Sequence, residues 1–351
     1  MSIPYTSEQS EFGDTIRQFF AEKATSAYLR TRTEKELTSD TQLWNQLIEL
    51  GLLSSFAPEA LGGLVLGFRE LGILAHESGR ALLPEPIVDA AFAGPYLLGR
   101  CKDKRALALL TSGLTKIVSG QERVAYLCAP SVENVTAAGG SLTGSVSVAL
   151  FAQGAGYFVL PKLKNGATEI LIDLKSAGPI RTSAVNLVDG TQKAARMDLK
   201  GVGYISANLP EKIDILYGIL KAAEIVGACE RSVEMTIEHV KTRKQFDAPI
   251  GSFQAVQQKL ADAYTKLSAM RAITQFAAWA VEADPTQVGL AGRSALLYSI
   301  KCGPEIIESC IQLHGGIGFT WEYDLHLYLR RVQMLSSIFG ATESAVLPLV
   351  Y

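Results

Sequence analysis

The chain has 351 residues, 48% of them hydrophobic and 19% charged, with a formal net charge of −2. That length exceeds one ordinary compact core and sets an expectation of two or three domains, while the near-balanced charge leaves no basic field to draw the protein to nucleic acid. Cys101, Cys128, Cys229, Cys302 and Cys310 are scattered, with no C-x-x-C pair and no clustered histidines, so neither a metal site nor a disulfide framework is expected, only free thiols in a reducing compartment.

Along the chain, Thr6 and Gln9 have the form of a capping box ahead of Phe12, Ile16 and Phe19, predicting a helix over 7–26. A second cap at Ser39 or Asp40 introduces Leu43, Trp44, Leu47 and Ile48, with Gly51 as the stop. Helical spacing over 68–79 is followed by Pro84 and Pro86, which break the register, and an apolar stretch over 88–99 reads as a buried helix. His76 has no carboxylate or cysteine pattern that marks a site, and reads as a satisfied structural histidine. The N-terminus has no basic segment ahead of an apolar core, and no run approaches membrane-spanning length; a cytoplasmic protein without integral membrane association is expected.

Between about Arg123 and Ser206 the period becomes strand-like, with runs at 124–127, 145–151, 157–160, 168–173 and 195–199. Gly139-Gly140, Asn165-Gly166 and Asp189-Gly190 supply turn signals. A small barrel or sandwich is expected here. Gly154-Ala155-Gly156 reads as a turn between strands, since Tyr157-Phe158-Val159-Leu160 continues as a strand where a dinucleotide loop would open a helix.

From Glu211 onward the pattern is helical. Ile219, Ala223, Val226, Val233, Ile237 and Val240 form one stripe interrupted by Glu230, and Val256, Leu260, Ala263, Leu267, Met270, Thr274, Ala277 and Val281 form a second. A third helix runs from about Thr286 to Leu313, with a kink expected at Pro304, and a fourth covers 325–338. Long helices of this kind suit a four-helix bundle and an oligomer. The expected divisions are a helical domain at 1–118, a β domain at 119–208 and the bundle at 209–351, an α+β fold that is mostly α.

Two stretches of the bundle carry binding chemistry. Arg243, in the link to the second long helix, offers a donor fork suited to a pyrophosphate beside a helix N-terminus, or is an ordinary solvated arginine. Gly315-Gly316, after Gln312-Leu313-His314, either admit a phosphate close to the backbone or cap the helix.

Together these residues resemble the acyl-CoA dehydrogenase family over nearly the whole chain. The family's R-x-x-F-G-x-x-I-x-x-x-Q motif is similar to Arg243, Phe246, Ile250 and Gln254, with Asp247 in place of the glycine, and its Q-x-x-G-G-x-G motif is matched by Gln312, Gly315, Gly316 and Gly318. The resemblance implies FAD at a subunit interface, with Arg243, Phe246, Gln254 and Gln312, Leu313, His314, Gly315 and Gly316 reaching a flavin held mainly by a neighbour. It also implies α,β-dehydrogenation of an acyl-CoA substrate, hydride transfer to the flavin and an electron-transfer flavoprotein as acceptor.

Departures from the family pattern are selective. The family's base, a glutamate directly before a glycine, is replaced by Phe339 before Gly340. The alternative base position at the start of the first long helix reads Leu216-Tyr217-Gly218-Ile219. Cys128-Ala129-Pro130-Ser131-Val132 and Ala149-Leu150-Phe151 stand where the family carries polar contacts to the flavin of the same subunit. The pattern implies a non-catalytic subunit of a heteromeric, α2β2 acyl-CoA dehydrogenase, of a kind the family uses for bulky thioesters such as steroid side chains; Trp321-Glu322-Tyr323-Asp324-Leu325-His326 resembles those members. A self-sufficient homo-oligomer with a displaced base, Glu343 or Glu224, and a scaffold or acyl-CoA-binding protein without redox function are the alternatives.

Overall fold

A computed structural model of the protein describes residues 3–34, 40–101, 113–152, 154–161, 163, 170–173, 180–206, 209 and 212–340. They form two compact units, one of residues 1–30, 68–83 and 218–351, the other of residues 31–67 and 84–217. Among the described residues no helix is long and apolar enough to cross a membrane. All five cysteines are free and buried.

In the first unit, α1 (Ser7–Lys23) starts where Thr6 Oγ1 accepts from Gln9 N (3.2 Å) and Gln9 Oε1 accepts from Thr6 N (3.1 Å), the capping box expected. The helix stops at Ala24, short of the expected end, because Thr25 Oγ1 accepts from Tyr28 N (3.3 Å) and so caps a new helix, α2 (Ser26–Glu34). Helix α4 (Phe68–Arg80) crosses α6 (Ile213–Thr242) at backbone contact. A Cβ at Gly79 would lie 1.9 Å from the Glu224 carbonyl oxygen, and one at Gly227 1.9 Å from that of His76. Only glycine permits this approach, and it sets His76 beside Glu230.

The other long helices are α7 (Gln254–Ala283), α8 (Val288–His314) and α9 (Leu325–Gly340). Pro304 lies inside α8, which runs on through it. The Ile300 carbonyl, which a proline four residues on cannot serve, accepts instead from Ser336 Oγ of α9 (3.1 Å). The apolar seam thereby gains a polar tie between two helices.

In the second unit, α3 (Thr41–Glu49) is capped by Asp40, whose Oδ1 accepts from Gln42 N (2.9 Å) and Leu43 N (3.0 Å), and Gly51 closes its end at φ 82°. The buried apolar stretch is α5 (Ile87–Ala91) continued by a wider π-turn, Phe92–Leu98, around Pro95. Tyr217 of α6 donates to Asp89 there, and Tyr126 donates to Asp214 (2.7 Å).

The strands are β1 (Val124–Tyr126), β2 (Asn134–Ala138), β3 (Ser141–Leu150), β4 (Tyr157–Leu160), β5 (Ile170–Asp173), β6 (Ile180–Val185), β7 (Ala194–Gly203) and β8 (Ile205–Ser206). The expected barrel is not closed among the described residues. The strands form two sheets, ordered β1-β4-β5-β8 and β2-β3-β7-β6, over one core that includes Leu127, Phe158 and Leu160 from the first and Leu142, Val146 and Met197 from the second. Gly139 and Gly140, at φ 57° and 77°, make the two-residue turn from β2 to β3. Asp189-Gly190 lies instead in a longer loop from β6 to β7, where Asp189 Oδ1 accepts from Thr191 N (2.9 Å). The Asn165-Gly166 signal lies outside the described residues.

Candidate functional site

At the C-terminal end of α6 the chain turns through a tight hairpin. Lys244–Gln245 (β9) pairs with Ala248–Pro249 (β10), and Ile250 N donates to the Arg243 carbonyl (2.9 Å). The two residues at its tip, Phe246 and Asp247, have φ of 52° and 59°, the geometry of a type I′ turn, which favours glycine, asparagine and aspartate. Asp247 therefore performs the backbone role that the family motif gives to glycine. Phe246 is the less usual occupant, and its side chain is 89% exposed with its ring edge-on to Phe253 at 6.2 Å. A bulky residue held in this region and projected into solvent is a feature typical of ligand clamps.

The hairpin delivers the chain to α7, whose N-cap is Phe253, with no side-chain cap. Val256 N and Gln257 N of this 30-residue helix donate to the Phe253 carbonyl, which leaves the N–H groups of Gln254 and Ala255 for an anion, reinforced by the helix dipole. Gln254 is its first residue and is exposed.

The glycine motif ends α8. Gln312 is exposed, Leu313 half-buried and His314 buried. Gly315 adopts φ 64°, and a Cβ at Gly315 or Gly316 would meet nothing within 4 Å, whereas one at Gly318 would lie 2.9 Å from the Ile311 carbonyl oxygen. The motif's glycines therefore divide: Gly318 closes the turn against α8, and Gly315-Gly316 leave an open backbone surface.

The two motifs meet through a pair of histidines that the sequence reading did not connect. His239, one turn before Arg243, stacks on His314 with centroids 4.1 Å apart, and Tyr323 lies 4.7 Å from His314. His314 Nδ1 donates to the Cys310 carbonyl (2.8 Å), which leaves Nε2 as a buried acceptor. Burial lowers the pKa of both rings, and for His239 the neighbouring His314 and Arg243 charges lower it further. The lowered values favour the uncharged form of each ring, and the stack brings the ends of α6 and α8 together.

The expected base position is in the last turn of α9: Phe339 is 4% exposed and Gly340 ends the helix. Glu343 lies outside the described residues. Glu224 is fully enclosed; its Oε1 accepts from Arg331 Nη1 (2.8 Å) and its Oε2 from Lys221 Nζ (3.1 Å). Burial raises its pKa, but the Lys221 and Arg331 charges outweigh it and hold the carboxyl below its usual value. A carboxylate so clamped is a poor proton acceptor. In the other unit Ser131, Ala149 and Leu150 are buried, so the stretches that depart from the family's flavin contacts turn these side chains into the core.

His76 is the satisfied structural histidine expected, and its partners are carboxylates. Glu77 Oε1 lies 3.0 Å from its Nδ1 and Glu230 Oε2 3.2 Å from its Nε2. Burial opposes the charge, but the two carboxylates prevail and raise its pKa to about 9. Arg17 Nε and Nη2 donate to Glu77 (3.0 and 2.8 Å), and Arg271 pairs with Glu230 (3.1 Å). The signal was present in Glu230, the one break in the apolar stripe of α6, but its partner lies 154 residues away.

Comparison with known proteins agrees with this architecture. Residues 6–97 match the acyl-CoA dehydrogenase N-terminal domain and residues 219–348 the C-terminal domain. The chain is 30% identical over 325 residues to acyl-CoA dehydrogenase IpdE2 of Mycobacterium tuberculosis, covering 92% of this chain and 90% of that protein. Among solved structures, the ChsE4-ChsE5 complex from Mycobacterium tuberculosis superposes with a TM-score of 0.87 at 25% identity (100% of this chain, 98% of that one). A variant of the Tcur3481-Tcur3483 steroid ACAD does so at 0.84 and 27% (98% and 96%). This chain belongs to the acyl-CoA dehydrogenase family, a family of FAD-dependent oxidoreductases, and has its mostly helical α+β fold.

Proposed function

We propose that this chain is the non-catalytic subunit of a heteromeric acyl-CoA dehydrogenase, lending FAD contacts to a partner subunit that supplies the glutamate base and most of the flavin pocket. The observation that carries the reading is the contrast between a buried Phe339 at the base position and an open Gly315-Gly316 surface at the cofactor motif. The clamped Glu224 disfavours a displaced base on α6, and similarity to the paired ChsE4-ChsE5 and Tcur3481-Tcur3483 proteins favours an assembly of two kinds of chain.

The residues present fit a flavin dinucleotide. Arg243 offers a guanidinium fork, the uncapped start of α7 offers backbone donors to a pyrophosphate, and Gly315-Gly316 admit it without Cβ obstruction. Phe246, with Gln254 and Gln312, supplies an apolar face and amide groups toward the nucleotide. When bound, FAD supplies the hydride acceptor for α,β-dehydrogenation of an acyl-CoA thioester. An electron-transfer flavoprotein is the acceptor partner that this reading implies. This chain's part is to bind and orient; it moves no proton at the substrate.

The test is to purify the chain alone and together with a family member that has the glutamate. Alone it is expected to be colourless and inactive; together the two should hold flavin and oxidise acyl-CoA. Stoichiometric flavin and turnover by the chain alone would overturn the proposal. Arg243→Ala should lower flavin occupancy of the complex; unchanged occupancy and activity would remove the cross-subunit role.

A further inference from the structure

A second cavity of about 500 Å³ lies in the first unit, bounded by α1, α2, α4, α6 and α9. Neither cofactor motif contributes to it. The break between α1 and α2 contributes the small residues Ala24, Thr25 and Ser26 to its lining. One side is apolar: Phe20, Ala21, Ala24, Leu29, Ala81 and Met235. The other carries Arg17, Arg80 and Arg231 against the carboxylates Glu77 and Asp324.

Those carboxylates are already engaged. Glu77 accepts twice from Arg17 and faces His76. Asp324 Oδ1 accepts from Arg30 Nη2 (2.8 Å) and Ser26 Oγ (2.9 Å). Arg80 holds both oxygens of Glu234 as a fork, and Arg231 Nη1 reaches the same Glu234 Oε2 at 3.3 Å. Arg80 also lies 3.9 Å from Glu230 Oε1, so it has a second carboxylate, whereas Arg231 has Glu234. Arg231, half-buried, has that single hydrogen bond among the described residues and several N–H groups left over.

We infer that this cavity is a binding site for a small monocarboxylate with an aliphatic body, its head on Arg231 and its body against the apolar side. Arg231 keeps N–H groups beyond its one bond to Glu234, and a carboxylate is the planar acceptor that a guanidinium edge takes in two parallel bonds. Away from the arginines the other polar side chains of the lining, Thr25, Ser26 and Tyr328, are uncharged, and Glu77 and Asp324 would repel a second carboxylate, so a ligand with one charged end fits better than a dicarboxylate. The volume lies in the range of about 300–1,000 Å³ typical of small-molecule sites.

The experiment is calorimetric titration of octanoate into the full-length chain, alone and in its complex, with 1-octanol as the matched uncharged probe. One octanoate per chain should bind with Kd on the order of 1 mM or tighter, and octanol should bind at least about tenfold more weakly, since loss of a charge-assisted pair is worth about a decade or more. Arg231→Gln, on a half-exposed helix surface, should weaken octanoate by a similar factor without altering the melting temperature. Ala24→Phe, which puts a ring into the lining, should abolish binding. The proposal is overturned if the wild type does not bind octanoate, if octanol binds equally well, or if either variant binds as the wild type does.

Discussion

Two regions of the first unit handle polar groups in opposite ways. In the interior, Lys221, Glu224 and Arg331 are enclosed and joined by short charged hydrogen bonds, and His76 sits between two carboxylates. At the motif-bearing end, the N-terminus of α7 has no side-chain cap, Gly315-Gly316 face open space, and Phe246 stands 89% exposed in a left-handed conformation. Groups that complete one another serve the fold; the groups left incomplete here are the ones proposed to meet the cofactor. This difference separates Glu224 from function more firmly than its being a buried carboxylate connects it.

The comparison breaks most directly at Glu224. Glu224→Ala leaves two buried cations without it, and removing one partner of a buried pair costs about 3–5 kcal/mol. Urea unfolding of the variant should show that loss. A variant of near wild-type stability would show that the carboxylate is not needed for the fold, and would reopen a chemical role for it.

His76 gives the next largest effect, and its sign is fixed by the raised pKa. The folded value of about 9 lies above the ordinary value of about 6.5, so the stabilisation is fully present below pH ~6.5 and is lost as pH rises through ~9. It amounts to roughly 3 kcal/mol. Stability measured between pH 6 and pH 10 should fall across that window in the wild type, and His76→Gln should flatten the fall. Glu230, lowered to about 2 by His76, Arg271 and Arg80, acts at the other limit: its contribution is present above pH ~4.5 and is lost as pH falls through ~2.

Within the glycine motif the same contrast appears three residues apart. Gly318→Ala must push against the Ile311 carbonyl and should destabilise by about 1–3 kcal/mol. Gly316→Val adds bulk to open space, so stability should change by less than about 0.5 kcal/mol while flavin occupancy of the complex falls. If both variants lost stability equally, the motif would be only a helix cap, the alternative its sequence leaves open.

What was legible depended on range. Thr6-Gln9, Asp40, Gly139-Gly140 and the long apolar stripes act over a few residues, and their elements formed as expected. The strands β2 and β6 were missed because Asn134–Ala138 is rich in small and polar residues and Ile180–Val185 is an edge strand with its middle exposed; neither alternates hydrophobic and polar clearly. At Pro304 the donor that serves the orphaned Ile300 carbonyl, Ser336, could not be named from the sequence because it lies on another helix. In the site, both motifs were readable as patterns, but the His239–His314 stack that joins them needs the helices in place. The charged networks failed for the same reason: Lys221 and Glu224 interrupt an apolar run and so demand partners, but nothing local names Arg331.

The smallest effect tests the hairpin. Asp247 at φ 59° carries a Cβ where the family motif has none. Aspartate tolerates that conformation better than most residues, yet still at a cost relative to glycine of up to ~1 kcal/mol. Asp247→Gly should therefore stabilise the folded chain slightly, offset by the greater freedom glycine gives the unfolded chain. The net change should lie within about 0.5 kcal/mol of zero. Flavin occupancy of the complex should be kept or improved, since the turn survives and Arg243 and Phe246 stay where it places them. Loss of flavin on this substitution would mean that the Asp247 carboxylate, and not merely its backbone, serves the cofactor, and the open end of the bundle would then hold one more functional side chain than the glycine motif suggests.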